Sequence, residues 1–263
     1  MKRFVRSAIA GLSPLVERWS GSKVLLIPQW DLHAVPERVH LRKFIDYFGI
    51  DCIFDVGANM GQYATMLRTQ VGYKGLIISF EPIPECAEHL RALSRQDPLW
   101  QVEEVALSDR VGVDTFNIMV SNQFSSLGSP DHSGVDIFEE SNKISRSIRV
   151  QVDTLAPYFE KYREKFHFSR PFLKLDTQGA DVKVVAGAAA IMREIVGLQS
   201  ELSIVKIYDE STRYTDAINF YESLGFRLSA LVPNNAGHFP RLVEIDCIMF
   251  NAELAAGVQT GRP

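Results

Sequence analysis

An apolar run ending in Asp55-Val56 leads into Gly57-Ala58-Asn59-Met60-Gly61 and then into residues at helical spacing. Two glycines behind a buried strand let backbone N–H groups approach a ligand, and the helix N-terminus beyond them adds oriented donors. The expected result is a nucleotide cradle. Glu81, followed by Pro82 at the end of the next apolar run, is placed for its carboxylate to accept hydrogen bonds from both ribose hydroxyls. Polar groups recur at the ends of later apolar runs, as Ser108 with Asp109, Asp176 and Glu201. Asp176 and Glu201 are candidate general bases, although Asp176 also fits a helix N-cap. His132 and His238 read first as solvated loop histidines and second as reserve bases. Lys174 alternates with apolar neighbours and is expected to pair with a buried acid.

These groups need elements to hold them. Leu41, Phe44, Ile45 and Phe48 recur at helical spacing over 36–48, with Gly49 as the stop. The cradle strand follows, then a helix closed by Gly72 and Gly75, a strand over 76–80, a helix over 84–96 and a third strand over 100–107. Residues 111–152 break this rhythm with two alternating runs around the polar stretch 121–143, and read as an inserted hairpin. Its Ser121–Leu127 portion is a candidate lid or substrate edge. A helix over 154–165, a strand 172–176, a helix 181–193, a strand 195–201 and a helix 214–224 restore the alternation. Strands over 225–232 and 242–250, joined by the turn Pro233–Gly237, must be antiparallel, because a short turn cannot make a parallel crossover. The predicted fold is α/β: a doubly wound, mostly parallel, Rossmann-like sheet with a C-terminal antiparallel β-hairpin. Its ligands belong beyond the carboxyl ends of the strands, where the strand order reverses.

A net charge of −4 offers no polyanion-binding signal, so nucleic acid is not the expected partner. Three cysteines, Cys52, Cys86 and Cys247, lack metal-type spacing and read as buried free thiols of a reducing, cytoplasmic compartment. The first residues, Met1-Lys2-Arg3-Phe4, place basic groups before an apolar stretch, but Gly11, Ser13 and Pro14 interrupt it too early for an export signal. A helical extension over 1–35 is expected instead, packed on the domain or making peripheral membrane contact. No acidic and histidine cluster suggests a metal. One domain over 36–252 with a frayed tail over 253–263 is the expected organisation.

Gly57 and Gly61 are separated by three residues and lack a third glycine, so the loop departs from the dinucleotide fingerprint. An acid before the first glycine, placed to meet an amino-acid ammonium, and the absence of a phosphate-binding lysine favour S-adenosylmethionine. At this point the chain resembles the FkbM-type S-adenosylmethionine-dependent O-methyltransferases, from about Phe44 to Phe250. The resemblance rests on Asp55–Gly61, Phe80-Glu81-Pro82-Ile83-Pro84, Ala106–Asp109, Ser125-Ser126-Leu127, Leu173–Gly179 and Gly187-Ala188. It implies that Asp55, Gly57, Ala58, Asn59 and Gly61 hold the methionine end of the cofactor. Glu81, beside Pro82, would take the ribose, Ser108 and Asp109 the adenine, and Asp176 would stand nearest the methyl group. Gln178 and Asp181 occupy places where the family more often has Glu.

The implied reaction is in-line attack of a substrate hydroxyl on the cofactor's methyl carbon, assisted by Asp176, Glu201 or His238. The implied acceptor is a small molecule bearing a hydroxyl: a sugar, glycolipid or polyketide. Two other readings stand beside it. A nicotinamide-dependent oxidoreductase is disfavoured by the missing glycine and the C-terminal hairpin, and a non-catalytic binding module by the intact Asp55, Glu81 and Asp176.

Overall fold

Three strands of this chain, β1 (Cys52–Val56), β2 (Leu76–Phe80) and β7 (Pro171–Leu175), are buried at every position. Strands of that kind need cover on both faces, as the middle of a parallel α/β sheet supplies. The computed structural model describes residues 29–131, 139–209, 211–233 and 240–257. Of the expected N-terminal extension over 1–35, residues 1–28 lie outside the described residues, as do His132, His238 and the end of the tail, while Gln29–Ala34 forms a 3-10 helix.

The main sheet has seven strands in the order β3-β2-β1-β7-β8-β10-β9, with β3 at Trp100–Glu103, β8 at Gly197–Ser203, β9 at Phe226–Pro233 and β10 at Glu244–Asn251. β10 runs antiparallel to both neighbours, β8 and β9, and the pairings from β3 across to β8 are parallel. The chain builds outward from β1 to β3, then returns to β1's other side as β7. The order therefore reverses between β1 and β7, which is where such sheets carry their sites. The mostly parallel sheet with an antiparallel C-terminal pair agrees with the sequence reading.

The helix Val35–Phe48 lays Leu41, Phe44, Ile45 and Phe48 into the core and stops at Gly49, whose φ of 62° is left-handed. On the other face of the sheet Phe54 stacks on Phe80 and Phe159 and meets Phe168 edge-on, all of them buried. Cys52, Cys86 and Cys247 are free and buried.

Four elements differ from expectation. The run 100–107 divides: β3 stays in the main sheet, while β4 (Ala106–Leu107) joins a second sheet, parallel to β6 (Ile144–Asp153). The chain bends between them, where Glu103 is tied to Lys161 and Tyr162. The helix from Asp181 ends at Gly187, which is packed so closely on the Ser108 carbonyl that a Cβ would lie 2.3 Å from it. β8 begins at Gly197, so Glu201 lies inside the strand. Ala252–Ala256 is helical rather than frayed, because Asn251 Oδ1 accepts from the Glu253 and Leu254 N–H groups. The inserted hairpin is present, with β5 (Gly112–Met119) antiparallel to β6.

Candidate active site

The register of the parallel strands puts Ser79, Asp55, Lys174 and Gln199 side by side on β2, β1, β7 and β8. Hydrogen bonds and an ion pair link the row as far as Lys174, and Tyr63 stands between Lys174 and Gln199. Trp100 Nε1 donates to Ser79 Oγ at 3.0 Å, and Ser79 donates to Asp55 Oδ2 at 3.1 Å. Lys174 Nζ lies 3.4 Å from Asp55 Oδ1 and 3.3 Å from Asp176 Oδ2. Tyr63 donates to Gln199 Oε1 at 2.9 Å, its ring under the Lys174 ammonium, and Gln199 Nε2 donates to Glu37 at 2.8 Å. Burial alone would lower the Lys174 pKa and raise that of Asp55. With two carboxylates on one ammonium, Lys174 stays charged and is held above its ordinary value.

Above this row, at the carboxyl ends of the strands, opens a cleft of about 350 Å3. One end is built by the β1 turn. Gly57, at φ 79°, sits against the Asp176 backbone, and a Cβ there would fall 1.9 Å from the Asp176 carbonyl oxygen. The Gly57 and Ala58 N–H groups both donate to the Phe80 carbonyl. The glycine thus serves close backbone packing; those donors are spent inside the protein and do not face a ligand. Asn59 N–H donates to Glu81 Oε2 at 2.7 Å and Ile83 N–H to Oε1 at 2.9 Å. Burial pushes the Glu81 carboxyl up to about 7 against these two bonds. Each carboxylate oxygen keeps acceptor capacity for a diol, and Asn59 Oδ1 is a buried acceptor without a protein partner. Val105, Ala106 and Leu107 supply an apolar wall beside them.

The other end is acidic. Asp176 follows β7, Glu201 stands opposite Asp246 across β8 and β10, and Glu37 and Glu244 complete the lining. Burial raises Glu37, Glu201 and Asp246, and the Asp176 charge adds to the effect on all three. Gln178 Nε2 donates to Asp176 Oδ1 at 2.8 Å and to Glu201 Oε2 at 2.5 Å. The insertion supplies the rim through Asn122, Gln123, Phe124, Ser125 and Leu127. Among the described residues, no group of three or more His, Cys, Asp or Glu is arranged to hold a metal ion.

Comparison with known proteins matches residues 55–228, well over half of the chain, to the family model described as the methyltransferase FkbM domain. The chain belongs to this family. The FkbM assignment makes it an S-adenosylmethionine-dependent methyltransferase and removes the nicotinamide-dependent alternative. No curated protein matches the sequence. Among solved structures the chain is similar to a magnesium protoporphyrin IX methyltransferase from Synechocystis PCC 6803 with bound SAM, at 7% identity, 95% of this chain, 97% of that one and a TM-score of 0.45. It is also similar to Aeropyrum pernix fibrillarin in complex with S-adenosyl-L-methionine, at 14% identity, 84% and 76% coverage and a TM-score of 0.43. Likenesses this distant say nothing about the acceptor.

In this FkbM methyltransferase, Gly57, Ala58, Asn59, Glu81, Pro82, Asp176 and Glu201 line the cleft, and Asp55, Gly61, Ser108 and Asp109 do not. Asp55 is fully buried, and the ammonium it meets is that of Lys174. Gly61 packs under Leu90, Leu93 and Trp100. Ser108 lines a neighbouring hollow with Arg110 and Lys183, and Asp109 pairs with Arg110. Asp176 does not cap the following helix: its N-cap is Ala180, and it is Asp181 that accepts from the Thr177 N–H and hydroxyl. His238 and His132 lie outside the described residues. Glu37, Tyr63, Gln199 and Asp246 escaped the sequence reading. Asp246 carries the same signal as Lys174, a polar residue between apolar neighbours in a strand; Gln199, beside Ser200 and Glu201, and Glu37 carry none.

Proposed function

We propose that this chain is an O-methyltransferase that transfers the methyl group of S-adenosylmethionine to a hydroxyl of a small molecule, a sugar or a sugar-bearing glycolipid or polyketide. The observation that carries the reading is a single cleft with Glu81 at one end and the Asp176–Gln178–Glu201 group at the other. Glu81 would take the ribose hydroxyls and Asn59 Oδ1 a further donor, with Gly57, Ala58 and Pro82 shaping the wall. When bound, the cofactor supplies an electrophilic methyl group on a sulfonium. The chain's own work is to hold the acceptor oxygen in line and to take its proton. Asp176 is the base in this reading, since its side chain is 36% exposed to the cleft while Lys174 and Gln178 hold it. Orientation contributes the larger share, with effective molarities on the order of 10⁵ M or more against roughly 10²–10⁴-fold for a base. Amide, hydroxyl and carboxylate groups at the acidic end favour a polyhydroxylated acceptor over an apolar one.

The domain would span 36–252, and peripheral membrane contact would come from the N-terminal stretch. No helix among the described residues is long and apolar enough to cross a membrane. A methyl-transfer screen over glycans, glycolipids and macrolide alcohols, read by product mass, tests the assignment. Methylation of nitrogen acceptors alone would overturn it.

A further inference from the structure

Gln178 holds a backbone φ of 54°, and Gly179 follows at 94°. Non-glycine residues seldom occupy that left-handed region, and when they do the surroundings must over-determine it. Here they do. Thr177 is tied to Asp181, and Ser126 Oγ of the insertion donates to the Gln178 carbonyl at 2.8 Å. The side chain is thereby turned back into the cleft, where its amide is used at both ends. Nε2 serves Asp176 and Glu201, and Oε1 lies 2.7 Å from the Tyr208 hydroxyl, whose single proton also faces the Phe124 carbonyl at 2.9 Å.

We propose that Gln178 is a positioning residue: it spaces Asp176 and Glu201 at the reacting end of the cleft and ties that pair to the insertion loop that forms the rim. The reaction it serves rests on the methyltransferase reading above. A glutamine suits the place because its two amide hydrogens stand between two carboxylates whatever the pH. A glutamate there could donate only while it held a proton, and only to one of them. The charged groups around it are Lys174 on β7, Asp176 just after it, Asp181 on the next helix, Glu201 on β8, and Glu244 and Asp246 on β10. Tyr208 does not titrate in the neutral range, since burial holds its hydroxyl protonated well above the usual value.

The test uses the full chain as wild type, Q178E, Q178A and Y208F, with tyrosine labelled at the ring Cζ carbon for NMR. The Tyr208 resonance, identified by its loss in Y208F, should show in Q178E a titration step between about pH 6 and about pH 9 in addition to whatever steps the neighbouring carboxyls give in the wild type. In Q178A it should be displaced at every pH. Methyl transfer by Q178E should approach the wild type at about pH 6 and fall roughly tenfold or more by about pH 9, with the KM for S-adenosylmethionine changed less than about threefold. Superimposable Q178E and wild-type profiles, or equal effects of Q178E and Q178A at every pH, would overturn the proposal. Failure of the wild type to bind S-adenosylmethionine would sink the methyltransferase reading, while the Tyr208 resonance would still decide the role of Gln178.

Discussion

Asp55 and Lys174 face each other across β1 and β7, Nζ 3.4 Å from Oδ1, with side-chain exposures of 0% and 7%. Removing one member of a buried ion pair strands the other, at a cost of about 3–5 kcal/mol. K174M should therefore lose about that much unfolding free energy, measured by denaturant titration. D55N, which keeps the Ser79 bond and leaves Asp176 on Lys174, should lose less. Equal losses for the two would show that the pair is not what holds this part of the sheet.

Gly57 and Gly72 both have left-handed backbones, at φ 79° and 85°, but only Gly57 has a neighbour in the way. G72A should cost about 1–2 kcal/mol, the strain of the backbone alone. G57A adds a collision with the Asp176 carbonyl, and should abolish cofactor binding or folding. Thermal melts and calorimetric titration of both variants check this, and a well-folded G57A that binds S-adenosylmethionine normally would refute it.

Glu81 titrates near 7 in the folded protein, against an ordinary value of 4.5. Folding thus favours the protonated form. Its stabilising contribution is complete below about pH 4.5 and is lost as pH rises through about 7, on the order of 3 kcal/mol over the whole span. Ribose hydroxyls donate to the ionised form, so affinity for S-adenosylmethionine should strengthen as pH rises through about 7. Calorimetry across that range should show the dependence in the wild type and its absence in E81Q. A pH-independent wild-type affinity would mean that Glu81 does not take the hydroxyls.

Asp176 and Glu81 should fail differently. D176N is expected to lower kcat by roughly 10²–10⁴-fold with cofactor affinity nearly unchanged, and E81A to weaken affinity first. Initial-rate kinetics with a hydroxyl acceptor separate the two. A D176N enzyme at full kcat would move the base role to Glu201.

Much of this was legible in the chain itself. The helix Val35–Phe48 and its stop at Gly49 follow from apolar spacing and one glycine, and the buried strands β1, β2 and β7 from apolar runs interrupted by a single polar residue each. These are local signals, decided by a residue's own backbone preferences and nearest neighbours. Glu81 and Asp176 could be placed at a common crevice for the same reason, because strand ends in such a sheet share one edge. What Asp55 does could not be read this way. Its partner Lys174 is far along the chain, and the two meet only because β7 returns to β1's free side in register. The same return turns Asp55 from a residue beside a glycine loop into the middle of a buried row, and pairing of β8 with β7 and of β10 with β8 brings Gln199 and Asp246 to the cleft. Strand order and register depend on the whole core packing at once. The loop's glycine was therefore foreseeable from its neighbours, whereas its purpose, clearance for the Asp176 backbone, belongs to the tertiary structure.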